Sequence, residues 1–304
     1  MHIPDGFLST PVWVTLDAAS VPAVAWMARR AQLSSQGARD ERRIPLLGVM
    51  GAFVFAAQMI DFPVGLGTSG HLVGGALLAI TLGPAAASIV MTAILAIQAF
   101  VFQDGGIVSL GANIMNMAVL GVLAGYLPYR MWGAHWRSAA IFAGGALSVL
   151  TSACLALSEL FASGVRMPGR MLWVSIGLFL VSALLEGLIT LTAVRAIERL
   201  NPRFVSEPAH AGSRTLGVVA IAAVMLVSVG ILAISVAPDG IEKLAGQLRM
   251  GHSPARIHAP LAGYQSGSFD SPWLRRASAG LTGLALIYGA CALTGRFLTR
   301  RRSI

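Results

Sequence analysis

The amino-acid sequence predicts an all-α polytopic membrane protein, and its composition, charge and recurring apolar runs support this fold class. Of the 304 residues, 56% are hydrophobic and only 12% are charged, with a mean hydropathy of +0.73. Soluble domains contain about 25% charged residues, so the composition argues strongly against a water-soluble fold. The net charge of +9 comes from arginines that lie between apolar runs. Such a distribution indicates membrane topology rather than a partner made of nucleic acid.

The apolar runs divide the chain into nine predicted spans. A spanning helix needs about 20 apolar residues, and a helix packed inside a bundle can be shorter. Residues 72–102 are too long for one span, and Gly83-Pro84 divides them because proline favours the first turn of a helix. The predicted helices are 11–28, 44–60, 71–82, 84–102, 107–128, 138–162, 171–194, 215–236 and 273–295, with a loop at 65–71.

The arginines also predict orientation and domain organisation. They cluster after alternate spans, and the positive-inside rule then places the N-terminus outside and the C-terminus inside. Pro202 and Pro208 indicate a linker between two units. The predicted units are a seven-helix domain at 1–200, a cytoplasmic linker at 201–214, and a two-helix hairpin at 215–304 with a polar outer loop at 237–272.

The N-terminal pair Met1-His2 is a candidate chelate for a metal ion. The Met1 amine and the His2 amide nitrogen close a five-membered ring, and the amide and the nearer imidazole nitrogen close a six-membered ring. Planar coordination by nitrogen suits Ni²⁺ and Cu²⁺. Histidine at position 2 also occurs without any metal role, so the pair alone does not establish a site.

His71 is a candidate fourth nitrogen donor. The predicted topology places it on the same outer side as His2, at the start of a helix. The glycines around it would let an inserted N-terminal segment approach the helix backbone closely. The alternative is an interfacial histidine whose polar edge lies among the lipid headgroups.

Four amide side chains near these histidines could orient a ligand, namely Asn113, Asn116, Gln98 and Gln103. The two asparagines are three residues apart, so we expect them to share one face of a helix. The alternative is that these amides hold membrane helices together.

Glu186 lies near the middle of the seventh predicted span. A charge at membrane depth is costly, so Glu186 is predicted to be functional or paired, and the sequence identifies no partner for it. Glu159 and Asp17 lie closer to the predicted outer surface, where we expect solvation.

Three segments resemble one known family. Met1–Leu8, Gly70-His71-Leu72 and the segment from Gln103 to Met117 resemble the CbiM/NikM family, the substrate-binding membrane components of energy-coupling-factor cobalt and nickel transporters. The segment from Ala237 to Lys243 resembles the PDGLE domain fused in NikMN-type proteins, with Ile241 in place of leucine.

The resemblance implies both a ligand set and partners. It implies a seven-helix unit whose N-terminal segment folds back into the membrane. The metal would be held by the Met1 amine, the His2 amide and imidazole, and the His71 imidazole. It also implies a transmembrane coupling protein and two ATPase subunits, in the inner (plasma) membrane of a prokaryote.

Together these features predict uptake of Ni²⁺ as a transported substrate, without a permanently bound cofactor. Uptake of Co²⁺ for cobalamin synthesis by the same mechanism is the alternative. An intramembrane metalloenzyme is a different class, and it needs an open coordination position that a planar four-nitrogen set does not offer. A purely structural membrane protein is a third class. The sequence has no G-x-x-x-x-G-K-[ST] motif, so we expect ATP hydrolysis on partner subunits and no enzyme activity here.

Overall fold

Helices form almost all of the regular structure. The computed structural model describes residues 2–35, 43–66, 68–202, 204–205, 212–230, 241, 243, 259–267 and 269–299. The α-helices of these residues are α1 (Thr10–Ser35), α2 (Arg43–Gln58), α3 (Gly75–Leu82), α4 (Pro84–Ile97), α5 (Leu110–Asn113), α6 (Gly121–Trp132), α7 (Arg137–Ala162), α8 (Gly169–Leu200), α9 (Ser213–Val229) and α10 (Pro272–Thr299). Met1, most of the predicted outer loop and part of the predicted linker lie outside the described residues.

Several helical segments are suited to a bilayer. Within the described residues, five are long and apolar enough to cross a membrane, namely Pro84–Phe102, Leu110–Trp132, Arg137–Ala162, Gly169–Leu200 and Pro272–Phe297. Two shorter apolar helices are Ile44–Gln58 and Ser213–Val229. The chain is therefore a multi-pass membrane protein, as its composition predicts.

The break at Gly83-Pro84 is confirmed. Gly83 has a φ of 83°, a conformation that glycine adopts readily, and Pro84 is the first residue of α4. The sequence did not predict the π-helical turns. One covers Gln98–Phe102 at the end of α4, and the other covers Ile114–Leu120 between α5 and α6. Such turns often occur at functional sites, and these two flank the loop that faces the N-terminal segment.

A short β-hairpin replaces part of the loop predicted at 65–71. Its strands are β1 (Phe62–Gly65) and β2 (Thr68–Gly70), which pair antiparallel with Phe62 opposite Gly70. The prediction that His71 opens a helix is wrong. His71 follows β2, and α3 begins only at Gly75, because Gly74 takes a left-handed φ of 76°.

The C-terminal helices pack against α2, where glycines allow a close approach. A Cβ atom at Gly48 would lie 2.6 Å from the Tyr288 ring of α10, and one at Gly283 of α10 would lie 2.4 Å from Phe55. Small residues at helix contacts are typical of membrane proteins, where close van der Waals packing drives association. This contact brings the segment before α10 to the end of α4 that carries Gln98.

Candidate metal site

The N-terminal segment is inserted into the protein rather than exposed to solvent. His2, Ile3, Phe7 and Leu8 are all buried. The Asn113 side chain pairs with the Ile3 backbone in both directions, with Oδ1 accepting from the Ile3 N–H at 2.8 Å and Nδ2 donating to the Ile3 carbonyl at 3.1 Å. The Gly106 N–H also donates to that carbonyl at 2.9 Å. These three hydrogen bonds fix the register of the segment one residue after His2.

Asp5 fastens the same segment to the loop that follows α4. Its Oδ1 accepts from the N–H groups of Val108 and Ser109 at 2.8 and 3.3 Å, and the Ser109 hydroxyl donates to the Pro4 carbonyl at 3.2 Å. A Cβ atom at Gly106 would lie 2.2 Å from Asp5 Oδ1, so only glycine fits there. The two motifs of the sequence, at residues 1–8 and 103–117, are therefore two sides of one contact.

The imidazoles of His2 and His71 are brought together by this insertion. Their ring centroids are 5.3 Å apart and their planes differ by only 8°. Nδ1 of His2 lies 3.1 Å from Oδ1 of Asp104, and Nε2 of His2 is buried with no hydrogen-bond partner among the described residues. A buried ring nitrogen without a partner is costly unless something else binds it.

His71 is fixed as a neutral imidazole. Its Nδ1 lies 2.9 Å from the Leu72 carbonyl oxygen, so Nδ1 carries the hydrogen and the lone pair is on Nε2. Burial, with a smaller contribution from the nearby His2, lowers the pKa of His71 to about 3. This imidazole is thus unprotonated at neutral pH, which is the state that binds metals.

Asp104 is the residue of this site that sequence reasoning missed. Burial opposes its ionisation, but His2 and the hydrogen bond from it hold the pKa of the Asp104 carboxyl well below its usual range. Asp104 lies in a polar turn beside the predicted Gln103. The available signal was that the motif at 103–117 contains this carboxylate. Its contact with His2 joins residues 102 positions apart, which the sequence does not display.

Glu186 has a partner that the sequence could not identify. Its Oε2 and Oε1 accept from the backbone N–H groups of Val73 and Gly74, each at 2.8 Å. These amides lie just before α3, two and three residues after His71. Glu186 therefore fixes the segment that carries His71, and both of its carboxyl oxygens accept hydrogen bonds from the backbone.

Replacement of Glu186 by alanine is expected to lower the free energy of unfolding by about 2–5 kcal/mol, since two buried N–H groups lose their acceptor. Chemical denaturation in detergent micelles would measure this loss. The control is Glu198→Ala on the same helix, where the glutamate pairs with the partly exposed Arg137 and Arg195. Such pairs contribute about 0–1 kcal/mol. Equal stability of the Glu186 variant and the wild type would contradict the anchoring role.

The four amide side chains predicted to orient a ligand make different contacts. Asn113 contacts the N-terminal segment, whereas Asn116 donates to Glu159 Oε2 at 2.9 Å, so the two do not serve one common partner. Gln98 donates to Gln58 at 2.9 Å, and the Gln103 Oε1 atom faces the Ala259 N–H at 3.5 Å. Gln98 lies beside Asp104, whose backbone N–H donates to the Gln98 carbonyl at 3.0 Å.

The expectation that Glu159 and Asp17 are solvated is wrong. Glu159 is buried beside Asn116. Asp17 is half-buried, and its Oδ1 accepts from the Gly111 N–H at 2.7 Å. Both carboxylates accept hydrogen bonds from the helical segment around Asn113, because the π-helix and the close packing at Gly111 bring that segment to α1 and α7.

No three His, Cys, Asp or Glu side chains converge as a metal cluster in the part of the chain that the structure describes.

Comparisons with known proteins agree with this architecture. Residues 2–204 match the family CbiM, described as the cobalt uptake substrate-specific transmembrane region. A putative fused nickel transport protein NikMN of Archaeoglobus fulgidus is 36% identical over 72% of this chain and 73% of its own. A probable fused nickel transport protein LarMN of Lactiplantibacillus plantarum is 30% identical over 92% of this chain and 90% of its own.

One solved structure is also similar. A crystal structure of a transition metal transporter is 30% identical, with a TM-score of 0.57, and covers 70% of this chain and 100% of that chain. The match over most of the N-terminal part and the fused relatives lead to one conclusion. This chain belongs to the CbiM/NikM family, in the form that carries a fused C-terminal domain.

Proposed function

We propose that this protein is the substrate-specific membrane component of an ATP-driven energy-coupling-factor importer and that it captures Ni²⁺. The ligands are the Met1 amine, the His2 amide and imidazole, and the His71 imidazole. The observation that supports this most directly is the pair of stacked imidazoles, together with the buried His2 ring nitrogen that has no partner among the described residues. The two hydrogen bonds between Asn113 and the Ile3 backbone hold the adjacent His2 beside His71.

Nickel is favoured by the donor set. Four nitrogen ligands in a plane suit Ni²⁺ better than Co²⁺. The two fused relatives are named as nickel transport proteins, whereas the family description names cobalt. Co²⁺ uptake for cobalamin synthesis is thus the result that a competition experiment must exclude.

Chelation requires a movement at His2. The six-membered ring between the His2 amide and its imidazole uses Nδ1, and in this structure Nδ1 is directed at Asp104. A half-turn of the ring about the Cβ–Cγ bond would direct Nδ1 away from Asp104. The same half-turn moves Nε2 to the Asp104 side of the ring, so that Asp104 accepts from the Nε2–H while Nδ1 binds the ion.

The proposed assembly follows from the family. The N-terminus lies outside and the C-terminus inside the inner membrane, with units at 1–200 and 215–304 joined by the linker at 201–214. A coupling protein and two ATPase subunits supply the energy for release of the ion inward. The family match over residues 2–204 and the fused relatives support this arrangement.

Metal titration of the purified protein tests the proposal. We expect one Ni²⁺ per chain, bound more tightly than Co²⁺ in direct competition. Affinity is expected to fall as the pH is lowered from about 8 to about 6, because nitrogen donors bind a metal ion only when they are deprotonated. His71 does not contribute to this fall, since its pKa of about 3 leaves it neutral throughout. Affinity that stays constant over this range would contradict the proposed ligands, and preference for Co²⁺ would assign cobalt as the substrate.

A further inference from the structure

Tyr264 belongs to the C-terminal part of the chain but contacts the site of the N-terminal part. It ends a short 3₁₀ turn at Ala262–Tyr264, and its ring stacks on Phe102 with centroids 4.7 Å apart and planes 19° apart. The turn is held at one end by the Leu261 N–H, which donates to the Val101 carbonyl at 3.0 Å. At the other end the Ser266 N–H donates to the Arg275 carbonyl of α10 at 3.0 Å. The ring is thus fixed between α4 and α10.

The hydroxyl of Tyr264 is the junction of two hydrogen-bonded branches. The first branch leads to His2, because the hydroxyl donates to Oδ2 of Asp104, and Oδ1 of Asp104 lies 3.1 Å from Nδ1 of His2. Both oxygens of the Asp104 carboxylate are therefore engaged. A carboxylate held at one oxygen presents the other in a fixed direction, and His2 meets that second oxygen.

The second branch leads to the segment after His71. Nε2 of Gln98 donates to the Tyr264 hydroxyl at 3.3 Å and to Oε1 of Gln58 at 2.9 Å. Nε2 of Gln58 donates in turn to the Val73 carbonyl at 2.7 Å. The amide of the same Val73 is held by Glu186. The two histidine-bearing segments thus meet at one phenolic oxygen.

We propose that Tyr264 is a positioning residue of the metal site, whose hydroxyl orients Asp104 toward His2 and links that carboxylate to the segment that carries His71. This inference rests on the proposed function, and it adds a role for the C-terminal part of the chain in forming the site. Ring packing alone would need only a phenyl group at this position. The hydroxyl is placed where it both donates to the partly buried Asp104 carboxylate and accepts from the buried Gln98 amide.

The test compares Ni²⁺ binding by the full chain and by Tyr264→Phe, which keeps the ring packing and removes the hydroxyl. We expect Ni²⁺ affinity to fall about tenfold and the visible absorption spectrum of bound Ni²⁺ to change. The matched control is Tyr288→Phe on α10, whose ring packs against Gly48 at a distance from the site. This control is expected to bind like the wild type.

A double-mutant cycle separates positioning from general stability. Asp104→Asn is expected to weaken Ni²⁺ binding by about 10- to 100-fold, the range for residues that orient metal ligands. If Tyr264 acts through Asp104, the double variant loses no more than Asp104→Asn alone. Additive losses, or an unchanged affinity and spectrum in Tyr264→Phe, would overturn the inference and leave the proposed function intact. Absence of Ni²⁺ binding by the wild type would instead overturn the proposed function.

Discussion

Replacement of His71 by alanine is expected to abolish tight binding of Ni²⁺. The variant loses one of four proposed nitrogen ligands. Its loss of Ni²⁺ affinity should exceed the roughly 100-fold loss that follows replacement of a residue that only orients a ligand. Isothermal titration with Ni²⁺, and the metal content after gel filtration, would measure the effect. The wild type should retain one ion per chain and the variant none.

The structure predicts that this variant still folds. The chain before residue 71 is held by the pairing of β1 with β2, and the chain after it by the hydrogen bonds from Val73 and Gly74 to Glu186. None of these interactions uses the imidazole. The melting temperature of His71→Ala should therefore stay near that of the wild type, so a loss of binding would report on the ligand itself.

A second histidine provides the control. His135 is exposed, between α6 and α7, and is far in sequence from both segments of the site. His135→Ala removes the same side chain and should leave the titration unchanged. Equal binding by the wild type and His71→Ala would contradict the proposed ligand set and return the stacked imidazoles to a packing role.

The elements that the sequence predicted well are those whose bounds depend on neighbouring residues in the chain, such as a long apolar run or a Gly-Pro pair. Long apolar runs identify α7 within one residue and the start of α8 within two, although α8 ends six residues later than predicted, and Gly83-Pro84 identifies the break before α4. The β-hairpin before His71 was missed because its strands are only four and three residues long, too short for an alternating pattern to emerge. Its absence from the prediction produced the wrong assignment of His71 to a helix.

The partners within the site depend on distant contacts, which the sequence does not display. Glu186 is stabilised by backbone N–H groups, so no search for a complementary side chain could find them. Tyr264 and Asp104 are 160 positions apart and meet because α10 packs on the glycines of α2. The π-helical turn at Ile114–Leu120 begins directly after Asn113 and contains Asn116, and these two residues contact different neighbours.

Addition of one residue before Met1 is expected to eliminate Ni²⁺ binding while leaving the fold intact. The extension converts the Met1 amine into an amide, which is a much poorer donor at neutral pH. The chain cannot compensate by sliding, because both backbone groups of Ile3 are paired and Asp5 is fixed to Val108 and Ser109. A shift by one residue would also replace His2 beside Asp104 with a residue that has no imidazole.

The same residue added after Ile304 is the matched control, since it changes length and mass equally without touching the chain start. Titration with Ni²⁺ should then separate the two extended proteins completely. Full binding by the N-terminally extended protein would mean that His2 and His71 hold the ion without the Met1 amine. The donor set would then have two imidazoles and no planar chelate, and the chemical reason for preferring Ni²⁺ over Co²⁺ would disappear with it.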